Sequence, residues 1–303
     1  MHVVDDGLSP MTAWLISKQG APYMFLAPVF AFGFLFFIVP LGFSAYISLT
    51  EWSAIGMPRW VGLANYTYLL RDDPFLSASL GATFSFAFGM IALGVPLALI
   101  LAYVISRSKF SGVWRSIFWL PMITNLVAVA YIWKFLLADT SGLLNRALDT
   151  VGLAGPNWLT DPSLSMFSVV IVAVWVSLGH NILLFATGLN EIDESYYEAA
   201  RIDGAAPMQL FWHITIPLLR PTIVFVLITN FITALSSFAL MLVLTEGGPA
   251  RSTTVTGLYI YEMAFSDLRL GRASAAAYIL FAIVLVITLV QLRVLRRGGV
   301  NGY

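Results

Sequence analysis

Few side chains in this sequence are equipped for covalent chemistry. It has no cysteine, which excludes disulfides, thiolate metal sites and cysteine nucleophiles. The three histidines, His2, His180 and His213, are scattered. No HExxH, GxSxG or phosphate-cradling glycine loop accompanies them. What stands out instead is hydrogen-bonding groups set in apolar surroundings. Ser177, His180 and Asn181 recur at i, i+3 and i+4, and Asn230, Thr233 and Ser237 follow at i, i+3 and i+7 with Ser236 beside them. On a helix each set shares one face. Hydroxyls and amides supply both donors and acceptors, which suits a polyhydroxyl ligand. The competing reading is that small polar residues knit helices together, and Asn125 is read that way.

A second cluster differs in kind. Residues 190–221 read NEIDESYYEAARIDGAAPMQLFWHITIPLLRP and hold five acids: Glu191, Asp193, Glu194, Glu198 and Asp203. Acids in the first turn suit a short helix over Glu194–Asp203, and Gly204 is placed to end it. A second helix over Pro207–Thr215 opens on a proline allowed in the first turn. It buries Leu210, Phe211 and Ile214, and Pro217 and Pro221 then deliver the chain onward. Two short helices on a glycine turn make a rigid knob suited to a groove in a soluble partner. Tyr196 and Tyr197 are read as interfacial anchors. An ordinary connector is the rival interpretation.

The elements that must position these groups follow from composition. Of 303 residues, 59% are hydrophobic and 11% charged, against about 25% charged in a soluble domain. Mean hydropathy is +0.85. Sixteen basic and sixteen acidic residues cancel, so nothing suggests nucleic acid. A membrane helix needs about 20 apolar residues, and six segments qualify: 23–49, 75–105, 116–137, 165–189, 222–245 and 273–292. The expected fold is all-α, a polytopic membrane protein of one domain over 1–303. Asp5 and Asp6 argue against a signal peptide.

Orientation rests on Lys and Arg near the span ends. Lys18, Arg107, Lys109, Arg115, Arg201, Arg220, Arg293, Arg296 and Arg297 lie on one side. Arg59, Arg71, Lys134, Arg146, Arg251, Arg269 and Arg272 lie on the other. The compact clusters at 107–115 and 293–297 place both termini and the 190–221 loop in the cytoplasm. The outer connections, about 50–74, 138–164 and 246–272, carry interfacial Trp52, Trp60, Trp158, Tyr66 and Tyr68.

The 190–221 loop resembles the EAA motif of ABC importer permeases: EAA, three residues, glycine, nine residues, then I-x-L-P. Here Glu198-Ala199-Ala200 is followed by Arg201, Ile202 and Asp203, then Gly204, and nine residues later by Ile214-Thr215-Ile216-Pro217. Ile216 in place of leucine is the one departure. Val61-Gly62-Leu63-Ala64-Asn65-Tyr66 and Leu244-Thr245-Glu246-Gly247-Gly248-Pro249 are similar to segments of the maltose-transporter-like, MalF-type carbohydrate permeases. The resemblance spans nearly the whole chain and implies a type I ABC importer permease fold.

It also implies a non-catalytic subunit of an ATP-driven importer. Partners would be a second homologous permease, a homodimeric cytoplasmic ATPase that binds ATP and Mg²⁺, and an extracytoplasmic binding protein. No cofactor is expected in this chain, and the setting is a prokaryotic cytoplasmic (inner) membrane. By the same resemblance Glu198, Ala199, Ala200, Asp203 and Gly204 form the coupling contact. Ser177, His180, Asn230, Thr233 and Ser237 fall near the substrate path. No carboxylate lies inside a span, which disfavours a proton- or sodium-coupled carrier. The lack of a mid-membrane Arg or Lys favours a neutral sugar or oligosaccharide over an anion, with glycerol-3-phosphate or a glycerophosphodiester as the alternative. A membrane-embedded lipid enzyme would need paired acids, metal ligands or a nucleophile–base spacing, and none is visible.

Overall fold

The computed structural model describes residues 21–297. Residues 1–20 and 298–303, with His2, Asp5, Asp6 and Lys18, lie outside the described residues, as do the side chains of Arg296 and Arg297. The described residues are mostly helical, because inside hydrocarbon every backbone N–H and C=O must find a partner within the chain. Helix α1 covers 21–48, with a π-type turn at Phe34–Ile38. A two-residue antiparallel pair, Thr50–Glu51 (β1) with Arg59–Trp60 (β2), and α2 (Ala64–Arg71) connect α1 to the next span. Helix α3 runs unbroken over Pro74–Ser106, and Asp73 caps its start by accepting from the Phe75 amide at 2.9 Å.

Two expected spans are not single helices. Residues 116–137 fall into α4 (Ser111–Ile123) and α5 (Leu126–Leu136), which meet at 96°. The cause is local. Pro121 removes a backbone donor near the end of α4. Thr124 is then extended, at φ −81° and ψ 144°. The Asn125 carboxamide oxygen accepts from the amides of Val127 and Ala128 and caps a fresh helix. Residues 222–245 likewise divide into α10 (Arg220–Ser236) and α11 (Ala239–Leu244), because Ser237 is extended at ψ 135°. Ser237 therefore does not share a continuous helix face with Asn230 and Thr233.

The remaining elements are α6 (Leu143–Thr150) between α5 and α7, α7 (Ser165–Asn190), α8 (Glu194–Ile202), α9 (Pro207–Leu218), α12 (Thr256–Tyr261) and α13 (Leu270–Arg297). Among the described residues four helices are long and apolar enough to cross a membrane, and six if each bent pair counts as one span: α4 with α5, and α9 with α10.

Helix α7 is the axis of the bundle and packs on α3, α4, α5, α10 and α11. One apolar cluster joins Phe86, Ala87 and Met90 of α3 to Val169, Val170, Val172 and Val174 of α7, Leu235 of α10 and Met241 of α11. A second joins Ala98, Ala102 and Ile105 of α3 to Leu178, Ile182 and Phe185 of α7 and to Leu219 and Val226. Between helices in lipid, close van der Waals packing replaces the hydrophobic drive available in water, so small residues sit at the contacts. A Cβ on Gly179 would stand 2.1 Å from the Phe118 carbonyl oxygen, and one on Gly188 2.4 Å from the Thr222 hydroxyl. Helix α1, by contrast, has none of its apolar window buried within the chain.

The rigid backbone partner at Gly179 makes it a sharp test of this packing. Gly179→Ala is expected to cost about 1–3 kcal/mol through overpacking. It should lower the melting temperature of the detergent-purified protein. Gly33→Ala, where nothing lies within 4 Å of the added atom, should leave it unchanged.

Candidate functional site

The 190–221 loop folds as its sequence dictates, one turn at a time. Asp193 caps α8, its Oδ1 accepting from the Ser195 amide at 2.8 Å. That backbone bond first, and the Ser195 hydroxyl second, hold the Asp193 carboxyl below its ordinary range. The cap thus contributes at neutral pH and is lost as acid protonates it below the usual carboxylate range. Glu194 in the first turn pairs with Arg201 in the last at 2.9 Å. At the far end Ala205 N–H donates to the Ala200 carbonyl at 2.9 Å, and Gly204 N–H to the Arg201 carbonyl at 3.1 Å. This paired closure needs a left-handed residue, and Gly204 supplies it at φ +81°.

Helix α9 opens with Gln209 Oε1 accepting from the Ala206 amide at 2.7 Å, a half capping box. Pro207 is at its first position. A π-type turn spans Phe211–Thr215. It coincides with the bond that locks the two short helices together: the Tyr197 and Thr215 hydroxyls lie 3.0 Å apart, both buried. Thr215 also donates to the Leu210 carbonyl at 3.3 Å. Tyr197 is thus an internal strut and not an interfacial anchor, whereas Tyr196 is exposed. Tyr197 shares its helix face with half-buried Ala200, three residues on, and that spacing is the signal a sequence reading could have used. Helix α9 then meets α10 at 68°, pinned by buried Leu219.

Facing outward from this hinge are Glu198, Ala199, Asp203 and Gly204, with Ala200 half-buried. Around them three large apolar side chains stand in the open: Ile202 at 86% exposure, Met208 at 66% and Trp212 at 58%. A cleft of about 460 Å³ separates the short helices, lined by Ala200, Asp203, Gly204, Gln209 and His213. Exposed apolar groups on a rigid, fully capped loop suit a protein partner.

The polar rows divide differently from expectation. Asn181 and Asn230 form a reciprocal amide pair between α7 and α10. Asn181 Nδ2 donates to Asn230 Oδ1 at 3.1 Å, and Asn230 Nδ2 donates to Asn181 Oδ1 at 2.9 Å. Both are buried, and Asn230 also donates to the Val226 carbonyl at 2.8 Å. Ser177 is half-buried and donates to the Val174 carbonyl at 3.2 Å. His180 is half-buried, its ring 6.4 Å from that of Trp119. Thr233 and Ser236 are exposed, and Ser237 is half-buried at the helix break. Asn230 is therefore committed to a helix contact, while Thr233 and Ser236 present free faces.

Residues 94–297 match the family described as "Binding-protein-dependent transport system inner membrane component". The chain belongs to this permease family. Among its relatives is the arabinooligosaccharides transport system permease protein AraP of Bacillus subtilis, 31% identical over 281 residues, covering 91% of this chain and 89% of AraP. Another is the sn-glycerol-3-phosphate transport system permease protein UgpA of Agrobacterium fabrum, 33% identical, covering 90% and 93%. The fold is that of a chain in a crystal structure of a bacterial alginate ABC transporter in complex with an alginate pentasaccharide-bound periplasmic protein. The TM-score is 0.83 at 23% identity, covering 94% of this chain and 97% of that one.

This permease is accordingly a multi-pass membrane protein, and its two other sequence signatures prove to be structural knots. Asn65 Nδ2 donates to the carbonyls of Ser48 and Thr50 at 2.9 and 2.8 Å, tying α2 to the end of α1. In the second, Gly247 at φ +81° and Gly248 offer carbonyls to the hydroxyls of Thr254 and Thr253 at 2.9 and 2.8 Å. Glu246 reaches Lys134 of α5 at 3.1 Å.

The amide pair of the permease predicts a non-additive pair of variants. Asn230→Ala leaves the Asn181 carboxamide buried without its partner, at about 1–3 kcal/mol. Replacing both by leucine removes the unpaired groups and should recover most of that loss. Thermal unfolding of the single and double variants in detergent measures it. An additive cycle would mean the pair is not formed.

Proposed function

We propose that this chain is the permease subunit of an ATP-driven importer that takes up a sugar or oligosaccharide handed over by an external binding protein. A second, homologous permease would complete the path, and a homodimeric ATPase would bind ATP and Mg²⁺ on the cytoplasmic face of the prokaryotic inner membrane. In this reading the ATPase receives the 190–221 loop. The observation that carries it is the capped, hinged loop whose exposed rim combines Glu198, Ala199, Asp203 and Gly204 with Ile202, Met208 and Trp212.

The roles follow from that geometry. Glu198 has no partner within its own helix and is free to meet a basic group. Ala199 and half-buried Ala200 allow close seating of a partner against α8. Gly204 holds the turn that sets the angle between α8 and α9. Because α8 is joined to α7 and α9 to α10, pushing the loop would displace two spans at once. Those spans carry Ser177, His180, Thr233 and Ser237, which we assign to the substrate path, with Asn230 as the amide that holds the two spans together. Hydroxyl-rich ligands suit such a path because each group can donate or accept. AraP's name concerns arabinooligosaccharides and the alginate transporter's title a pentasaccharide. The absence of any mid-span carboxylate in the sequence supports an external energy source.

Gly204→Asp would force an L-residue into the left-handed region, at roughly 1–2 kcal/mol, and add charge at the proposed contact. It is expected to abolish co-purification of the ATPase and uptake together. Retention of both would sink the docking assignment. Substrate class is read separately by uptake of a labelled oligosaccharide panel alongside glycerol-3-phosphate in cells expressing the full transporter. Uptake of an oligosaccharide supports the sugar reading, and uptake of glycerol-3-phosphate alone overturns it.

A further inference from the structure

We infer that Arg107, at the inner end of α3, is a positioning residue that clasps the second span to the 190–221 loop, so that α3 follows the loop when it moves. The inference rests on the coupling role proposed for that loop. Chain connectivity ties the loop to α7 and α10 only. Helix α3 has no covalent link to it, yet α3 packs along α7 and lines the inner apolar cluster with Ala98, Ala102 and Ile105. If the loop moves, α3 needs a contact that makes it move too.

Arg107 sits where such a contact is required. It is the residue that closes α3, its amide donating to the Val104 carbonyl at 3.2 Å. Its guanidinium carbon lies 3.6 Å from the centre of the Tyr103 ring and 5.8 Å from that of Tyr197. Nη1 donates to the Tyr103 carbonyl at 3.4 Å. The Tyr103 ring meets the edge of Phe211 at 4.8 Å and 74°. The cation therefore bridges a ring of α3 and a ring of α8, while the α3 ring also touches α9.

The two loop rings are themselves locked together. Tyr197 is bonded to Thr215, and Phe211 opens the π-type turn that ends at Thr215. Whatever holds Tyr197 and Phe211 thus holds both short helices. Arg107 makes no ion pair among the described residues, and the nearby loop pair, Arg201 with Glu194, is complete without it. An arginine merely solvated at a helix end would have no reason to lie against aromatic faces from two elements. A guanidinium within about 6 Å of ring centres is attracted by their negative faces, and it keeps that attraction as the rings slide.

The permease has no cysteine, so exposed Lys109 and Ser195 can be changed to cysteine and spin-labelled before the permease is assembled with its partners. Distances between the two labels are measured in the complex purified with its ATPase, nucleotide-free and trapped with ATP and vanadate. The unaltered clasp should give the same distance in both states. Arg107→Gln should add a second distance in the trapped state, lowering the population of the held one roughly two- to five-fold. Arg107→Lys keeps a cation over the rings and should restore it. A purely structural role would shift both states alike and would not be rescued by lysine.

The clasp is overturned if Arg107→Gln keeps the single distance in both states, or if the unaltered protein itself changes distance between them. Failure of the docking assignment looks different: the ATPase does not co-purify with the unaltered permease at all, and the clasp falls with it.

Discussion

Every break in this fold has to be sealed, because the bilayer offers no water to an unpaired backbone group. That constraint explains more of the architecture than the hydrophobic effect does. The spans are apolar over most of their surface, so apolarity alone says little about how they turn or meet. At the bend between α4 and α5 the Asn125 carboxamide takes over two amides that the helix has released. At the junction between α10 and α11 the chain is extended for a single residue and then resumes as helix. The two short helices that follow these breaks, α5 and α11, pack on each other.

The same economy governs contacts between helices. With no hydrophobic gain on leaving lipid, helices associate where backbones approach closely or where polar groups meet. Helix α7 uses both. Gly179 and Gly188 bring it against α4 and the start of α10, and Asn181 closes a two-way amide bond with Asn230. The 190–221 loop is built on this rigid axis. Its stiffness comes from a cap at each turn and from the buried Tyr197–Thr215 bond. A loop so constrained has the stiffness that the proposed coupling role would require.

Much of this was legible in the residues. The order of apolar runs, the two short helices, the glycine that separates them and the exposed acids all follow from patterning, capping and turn chemistry, which act over a few residues. The 190–221 motif was recognisable because its geometry is set locally, from Asp193 to Gly204 and from Pro207 to Pro217. Hydrophobic patterning also identified six spans but overstated their continuity. A window of apolar residues does not distinguish one straight helix from two that meet at 96°. The clues, Pro121 and Asn125, were present, yet proline is often tolerated in membrane helices.

What the sequence by itself determined is the membrane class, the helical content, the 190–221 loop and the polar groups carried by the spans. Only the tertiary structure decided which of those groups are free. Asn230 and Thr233 are three residues apart and chemically similar, but one is buried against Asn181 and the other is exposed. Tyr196 and Tyr197 are neighbours, but one faces outward while the other locks two helices. Spacing along a helix tells which residues share a face. It does not tell which neighbour that face meets, because the partner lies tens of residues away and is brought there by the packing of the whole bundle.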